Sequence, residues 1–213
     1  MTANLPQPPT MLAMLPGPSC EPADSIAGID EVGRGALFGP VVAGAVILSH
    51  AASHRLADLG VTDSKRLTAS RREALVPLIH KQAVAYALGL ATVYEIDRFN
   101  ILQASLLAMR RAVSRLSIQP ELCLVDGNQR IPNLAIPQQT IVKGDQHHVA
   151  IAAASILAKV WRDALMVRLG RRYPGYDLAS NKGYGSPRHR QAIAQLGRSR
   201  QHRQSFKVNQ PLS

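Results

Sequence analysis

Cysteine is nearly missing from this sequence: Cys20 and Cys123 are the only two, and they form no CxxC pair. Neither a disulfide framework nor a cysteine-built zinc site can be assembled from them, so a reduced, cytoplasmic protein is the simplest expectation. No run of about 18 apolar residues occurs, which excludes a membrane-spanning helix. Aromatic residues make up only 4% of the chain, too few for extensive stacking on nucleobases. The proline-rich start, MTANLPQPPTMLAMLPGPSC, has no basic n-region and does not read as a secretory signal. Residues 1–24 read as a disordered tail. Acidic residues are scarce too, 14 against 25 Lys and Arg, for a formal charge of +11.

What remains is enough for a globular core. Apolar residues are 46% of 213, the size of one large domain or two small ones. The charge is unevenly placed. Arg162–Ser213 carries eleven Lys/Arg against Asp163 and Asp177, or +9, whereas residues 1–54 carry one Arg against four acids, or −3. A basic end facing an acidic beginning suits a polyanion held near carboxylates, although a merely soluble basic surface would give the same totals.

Apolar, β-branched segments predict strands at Ser25–Asp30, Pro40–Leu48, Val84–Thr92, Leu122–Asp126 and Gln139–Val142. The Ser70-x-x-Glu73 spacing predicts a capped helix from Arg71 toward Ala83, with Pro77 kinking it or delaying its start. Further helices are expected over Asn100–Leu116 and Val149–Leu169, the second dense in Ala and Leu. Early strands followed by helix–strand alternation predict an α/β fold, a mixed sheet with packed helices. From about residue 165 the chain reads as an added helical, basic part. No internal repeat is present.

The chemistry concentrates where apolar strands meet acids beside glycine. In GIDEVGRG, residues 28–35, Asp30 and Glu31 are adjacent, and burying paired acids without a cation is costly. Neighbouring strand residues point to opposite faces, so the strand should end at this pair, with Gly33 and Gly35 supplying the turn. LCLVDGN places Asp126 before Gly127, and IVKGDQHH places Asp145 after Gly144. Such carboxylates are oxygen ligands suited to Mg²⁺ or Mn²⁺. Three or four of them allow a two-metal arrangement that activates water and holds the leaving oxygen. His147 and His148 read better as surface residues near a helix start than as ligands, and Asp163 reads as structural.

These stretches resemble bacterial ribonuclease HII, the type 2 ribonuclease H family. The similarity runs through GIDEVGRG, GPVVAGAVIL, DSKRLT (63–68), EIDRFNIL (95–102), VDGN (125–128) and VKGD (142–145). It continues with IAAASILAKVWRD (151–163), YPGYDLASNKGYGSPRH (173–189) and HRQSF (202–206), in order from about residue 26 to 206. The resemblance implies a ribonuclease H-like mixed five-stranded sheet with flanking helices and a C-terminal helical part, a catalytic domain over 25–206, and a tail over 207–213. It also implies that Asp30, Glu31, Asp126 and Asp145 are the catalytic, metal-holding acids. Gly33–Arg34–Gly35 would sense a ribose 2′-hydroxyl largely through backbone, and Tyr184 would pack on the neighbouring deoxyribose. An ordinary core tyrosine and a mere tight turn are the bland alternatives.

By the same resemblance Ser64, Lys65, Ser155 and Lys159 would contact phosphate. Arg188, His189, His202 and Arg203 would add contacts to the duplex backbone. Two departures stand out. Gln146–His147–His148 occupies the place where relatives carry a Lys or Arg, which would weaken a phosphate contact. The N-terminal extension is too short for the platform domain of the sister family, ribonuclease HIII.

The implied activity is metal-dependent hydrolysis of the phosphodiester 5′ to a ribonucleotide, leaving 3′-hydroxyl and 5′-phosphate ends. The implied partners are RNA–DNA hybrid and ribonucleotide-containing duplex DNA; nothing in the sequence suggests an obligate oligomer, so a monomer is the default expectation. A DNA-only nuclease of the same fold has no use for the GRG element, and a non-catalytic binding module has no use for the acids.

Overall fold

A computed structural model describes residues 25–208; the tail expected over residues 1–24 lies outside them. Five strands form one sheet in the order β3-β2-β1-β4-β5. They are β1 (Ile26–Val32), β2 (Val41–Leu48), β3 (Ala83–Ala91), β4 (Leu122–Asp126) and β5 (Gln138–Ile141). β2 runs antiparallel to β1 and β3, whereas β4 runs parallel to β1 and β5 parallel to β4. The sheet is therefore mixed, with β1 at its centre.

Six helices accompany it: α1 (His50–Asp58), α2 (Ala69–Gln82), α3 (Val93–Val113), α4 (Val149–Arg172), α5 (Leu178–Asn181) and α6 (Pro187–Leu196). On one face, Ile29, Ala43, Ala45 and Val125 pack against Ile96, Ala104, Ala108 and Met109 of α3. On the other, Val46 and Leu48 pack with α1, α2 and the alanine-rich stretch of α4. The alanines are there because α4 lies almost on the strands. A Cβ at Gly28 would come 2.2 Å from the Ala150 carbonyl carbon, and one at Gly44 would come 2.4 Å from the Ala154 oxygen. Small residues on both sides let helix and sheet backbones approach. A third cluster, Leu37, Phe38, Met166, Tyr176, Leu178, Ala192 and Ile193, joins α5 and α6 to the end of α4 and to the loop after β1.

Several local expectations are corrected. β1 does not stop at the acidic pair but runs through it to Val32, because β2 continues to pair there: Asp30 lies opposite Gly44 and Glu31 opposite Ala43. The cap of α2 is Thr68, whose hydroxyl accepts the Arg71 N–H, rather than Ser70. Pro77 sits inside α2 without delaying its start. α3 begins at Val93, seven residues early, behind a Thr92–Glu95 capping box. The predicted start at Asn100 survives as a break, where Asn100 (φ 71°) accepts the Gln103 N–H and caps the longer half.

Candidate active site

The parallel register of β1 and β4 builds the centre of the site. Their last paired residues are Ile29 and Val125, so Asp30 and Asp126 emerge one step later from adjacent strands at the same, carboxyl, end. That end of a parallel pair is where α/β sheets place ligands. Asp126 then reaches the third acid: its Oδ1 accepts the Gly144 N–H at 2.7 Å. This anchors the 3₁₀ turn Gly144–Gln146, which carries Asp145.

Asp30 is 5% exposed. Its Oδ1 accepts the Glu31 N–H at 2.7 Å. Burial pushes its carboxyl well above the usual range, and the charges of Glu31 and Asp126 add to the rise, against a hydrogen bond from Ser155. Glu31 leaves the strand from the opposite face yet remains within electrostatic reach of Asp126. Burial raises it, the Arg34 guanidinium at 3.2 Å opposes the rise, and Asp126 adds to it. Asp145, buried, is raised by desolvation and by Asp63 and Asp126, and lowered by Lys65. The Lys65 ammonium stands 3.8 Å from Asp145 on an 84% exposed side chain. The site thus gathers four carboxyls around too little positive charge.

Such a surplus of buried anion fits a hard divalent cation, whose ligands are carboxylate and water oxygens. Among the described residues no three His, Cys, Asp or Glu side chains close around a single ion position. That matches the habit of Mg²⁺-type ions, held by one or two carboxylates and completed by water and phosphate oxygens. The donor set fits; Asp30, Glu31, Asp126 and Asp145 are the residues that could hold it.

The GRG loop borders these acids. Gly33 adopts φ +96°, and a Cβ there would strike Arg162 Nε at 2.2 Å. Gly35 is exposed, and a Cβ on it would meet nothing within 4 Å. One glycine is required by packing and the other borders open space. Ser64 and Ser155 are buried with hydroxyls 2.9 Å apart, where Ser155 braces Asp30. Lys159 pairs with Asp163 at 3.0 Å, which gives Asp163 its structural role. Lys159 Nζ also lies 5.7 Å from the centre of the half-buried Tyr184 ring, and the Arg162 guanidinium 5.5 Å from it. Arg188 is exposed and lines an open cleft of about 510 Å³ with Gly175, Asp177 and Gln191. His147 and His148 are exposed, as expected of surface residues.

Three residues expected to touch the duplex do not face solvent. His189 is 0% exposed, and His202 and Arg203 are each 1% exposed. Their hydrogen-bonding groups are spent on the protein's own backbone and on each other. Two residues went unnoticed in the sequence. Asp63 is buried, accepts the Lys65 N–H at 2.9 Å, and is reached at 3.5 Å by Gln146 Nε2. Arg162 is fully buried and donates to the carbonyls of Pro40, Phe38 and Lys182. Asp63 opens the DSK stretch, so its position was visible; nothing in a lone helical arginine foretells burial.

An acidic centre at adjacent strand ends of a mixed five-stranded sheet, flanked by basic surface, defines a metal-dependent nuclease of the ribonuclease H-like class. The family description "Ribonuclease HII" matches residues 27–209. Ribonuclease HII of Acaryochloris marina is 67% identical over 184 residues, 86% of this chain and 93% of that protein. That of Trichodesmium erythraeum is 61% identical, covering 87% of this chain and 88% of that protein. Among solved structures, ribonuclease H2 from Pyrococcus horikoshii superposes with a TM-score of 0.72 at 29% identity, covering 86% of this chain and 94% of that one. Bst-RNase HIII in complex with Mn²⁺ shares the fold at a TM-score of 0.62 and 22% identity, covering 81% of this chain and 63% of that one. The chain belongs to the ribonuclease HII family, metal-dependent hydrolytic endonucleases that cleave RNA in RNA–DNA hybrids. No helix among the described residues is long and apolar enough to cross a membrane.

Proposed function

We propose that this protein hydrolyses the phosphodiester on the 5′ side of a ribonucleotide, both in RNA–DNA hybrids and at ribonucleotides misincorporated into duplex DNA. The products carry 3′-hydroxyl and 5′-phosphate ends, and the protein acts as a cytoplasmic monomer. One observation carries this reading: the β1–β4 register sets Asp30 and Asp126 side by side, next to a loop whose Gly35 borders open space.

Asp30, Glu31, Asp126 and Asp145 hold Mg²⁺ or Mn²⁺, which when bound supplies a water of lowered pKa and charge stabilisation for the leaving oxygen. The remaining work belongs to the chain. Ser155 and the Glu31 N–H fix the Asp30 carboxylate. Asp126 holds the turn that presents Asp145. Lys65, extended into solvent, offers a charge to a backbone phosphate, and Ser64 fixes the turn beneath it through Ser155. Lys159 and Arg188 add positive charge toward flanking phosphates. The Gly33–Arg34–Gly35 backbone reads the ribose 2′-hydroxyl, a group that both donates and accepts, and the Tyr184 ring packs on the next, deoxy, sugar.

The test offers duplex DNA with one ribonucleotide beside an all-deoxy duplex, with Mg²⁺ or Mn²⁺ and then with chelator. Cutting is expected only at the ribonucleotide and only with the cation. Equal cutting of both duplexes, or full activity in D126N, overturns the reading.

A further inference from the structure

We propose that residues 199–206 form a clamp that sets the ribose-reading loop and Tyr184 at a fixed separation, with Arg203 and His202 as positioning residues for substrate discrimination. This rests on the roles proposed above for the GRG loop and Tyr184.

The segment is anchored to α3. Asp97 accepts the backbone N–H groups of Gln204 and Ser205, each at 3.0 Å, and the Ser205 hydroxyl at 2.7 Å. From that anchor two arms extend. The first is Arg203, whose buried guanidinium donates to three carbonyls: Gly33 at 2.7 Å, Arg34 at 2.7 Å and Gly39 at 3.0 Å. A planar fork of five donors holds three backbone oxygens in one fixed arrangement, which a compact, freely rotating ammonium does not. Fixing the Gly33 and Arg34 carbonyls fixes their peptide planes. In a trans peptide the next N–H points the opposite way, so the Arg34 and Gly35 N–H groups are turned away from the guanidinium. Among the described residues no acid forms an ion pair with Arg203; burial and the neighbouring Arg162 lower its pKa to about 9, and it still carries its charge at neutral pH.

The second arm is a chain of neutral imidazoles whose hydrogens are set by their partners. The Ser199 N–H donates to His202 Nδ1 at 2.9 Å, so the proton of His202 sits on Nε2. That nitrogen lies 3.2 Å from His189 Nε2, which must accept. His189 therefore carries its proton on Nδ1 and donates it to the Tyr184 carbonyl at 2.8 Å. His202 is also wedged edge-on between Phe38 and Tyr176, at centroid distances of 4.9 and 4.7 Å. Adjacent residues of one segment thus grip both sugar-reading elements, which lie about 150 positions apart in the chain.

The two arms make different predictions. Ribose is common to a continuous hybrid and to a single ribonucleotide in DNA, whereas the following deoxyribose occurs only in the second. H202F keeps the ring packing and removes the ring's hydrogen bonds to His189 and to the Ser199 N–H and hydroxyl. It should lower the ratio of kcat/KM for the single-ribonucleotide duplex to kcat/KM for the hybrid by about three- to tenfold, the worth of a buried hydrogen bond. R203K keeps the charge and loses the fork, and should lower kcat/KM on both substrates by one common factor, leaving the ratio unchanged. Y184A reports on the tyrosine itself, and H202F added to Y184A should change the ratio no further.

A purely structural segment would lower both substrates equally in both single variants, with falls in melting temperature to match, and that outcome overturns the clamp. An unchanged ratio in H202F with a changed one in Y184A also overturns it and leaves the tyrosine's role intact. An unchanged ratio in Y184A removes the tyrosine's role and the clamp with it. If H202F does not fold, H189F, which cuts the same link to the Tyr184 carbonyl, takes its place with the same expectation.

Discussion

Replacing Asp30 by Asn should make the protein more stable in chelator while removing its activity. Asp30 is 5% exposed, and burial together with Glu31 and Asp126 disfavours its charge. Asp126 emerges from the adjacent strand, and neighbouring strands are about 4.8 Å apart. At that spacing and an effective dielectric of about 20, two carboxylates repel by roughly 3 kcal/mol. Asp126 is only half-buried, and solvent screening leaves a net gain of about 1–2 kcal/mol from deleting one charge. Asn is isosteric, so its Oδ1 keeps the Glu31 N–H bond. For a chain of this size about 1–2 kcal/mol is a rise of roughly 2–8 °C in Tm.

Thermal unfolding at pH 7.5 in chelator, and again in millimolar Mn²⁺, measures this. The wild type should gain stability from the ion by binding linkage; D30N should gain little, so the two curves converge. Cleavage should fall by at least about 10²-fold in the variant. A D30N protein that melts below wild type in chelator, or that shifts equally with Mn²⁺, refutes the claim that Asp30 is a destabilising buried anion held for the metal.

The two loop glycines should separate packing from recognition. G33A drives a Cβ into Arg162 at a positive φ and should lose several kcal/mol, seen as a large fall in urea midpoint. G35A meets no protein atom; its stability should lie within about 0.5 kcal/mol of wild type while ribonucleotide cleavage drops. K65M, at an 84% exposed position, should leave stability unchanged and flatten the dependence of log Kd on log salt by about one, read by fluorescence anisotropy on a hybrid. Glu95, paired with Arg111 at 2.6 Å, is held down to about 2, chiefly by hydrogen bonds from Arg111. A lowered carboxyl pKa stabilises fully above its unfolded value near 4.5 and loses that contribution as pH falls toward about 2. E95Q should therefore cost about 1–2 kcal/mol at pH 7, after discounting for the part-exposed Arg111, and the difference should vanish near pH 2 in urea titrations.

The elements were largely legible before the structure. Alternating and continuous apolar runs placed all five strands within a residue or two at most boundaries, because a sheet face can be buried only by that pattern. Where local reading failed, a neighbour had overruled it. β1 runs past Asp30 because β2 is there to pair with it. α3 starts at Val93 because a Thr92–Glu95 box, unremarked in the sequence, caps it before the Asn100 break. The acids themselves were readable, since carboxylates closing apolar strands beside glycine have little use in a solvated surface.

Burial of the cationic and imidazole side chains was not readable. His189, His202 and Arg203 looked like a basic surface awaiting phosphate, and Arg162 drew no notice at all; counting charge cannot tell a solvated guanidinium from one spent on backbone carbonyls. The sequence alone determines which residue types stand within and just beyond the apolar strands, because that depends on periodicity and adjacency. Only the folded sheet decides that Asp30 meets Asp126, through a parallel register spanning nearly a hundred residues. Only the folded C-terminal segment decides that Arg203 supports the loop from behind. Both are long-range contacts, set by where the chain returns rather than by what it contains.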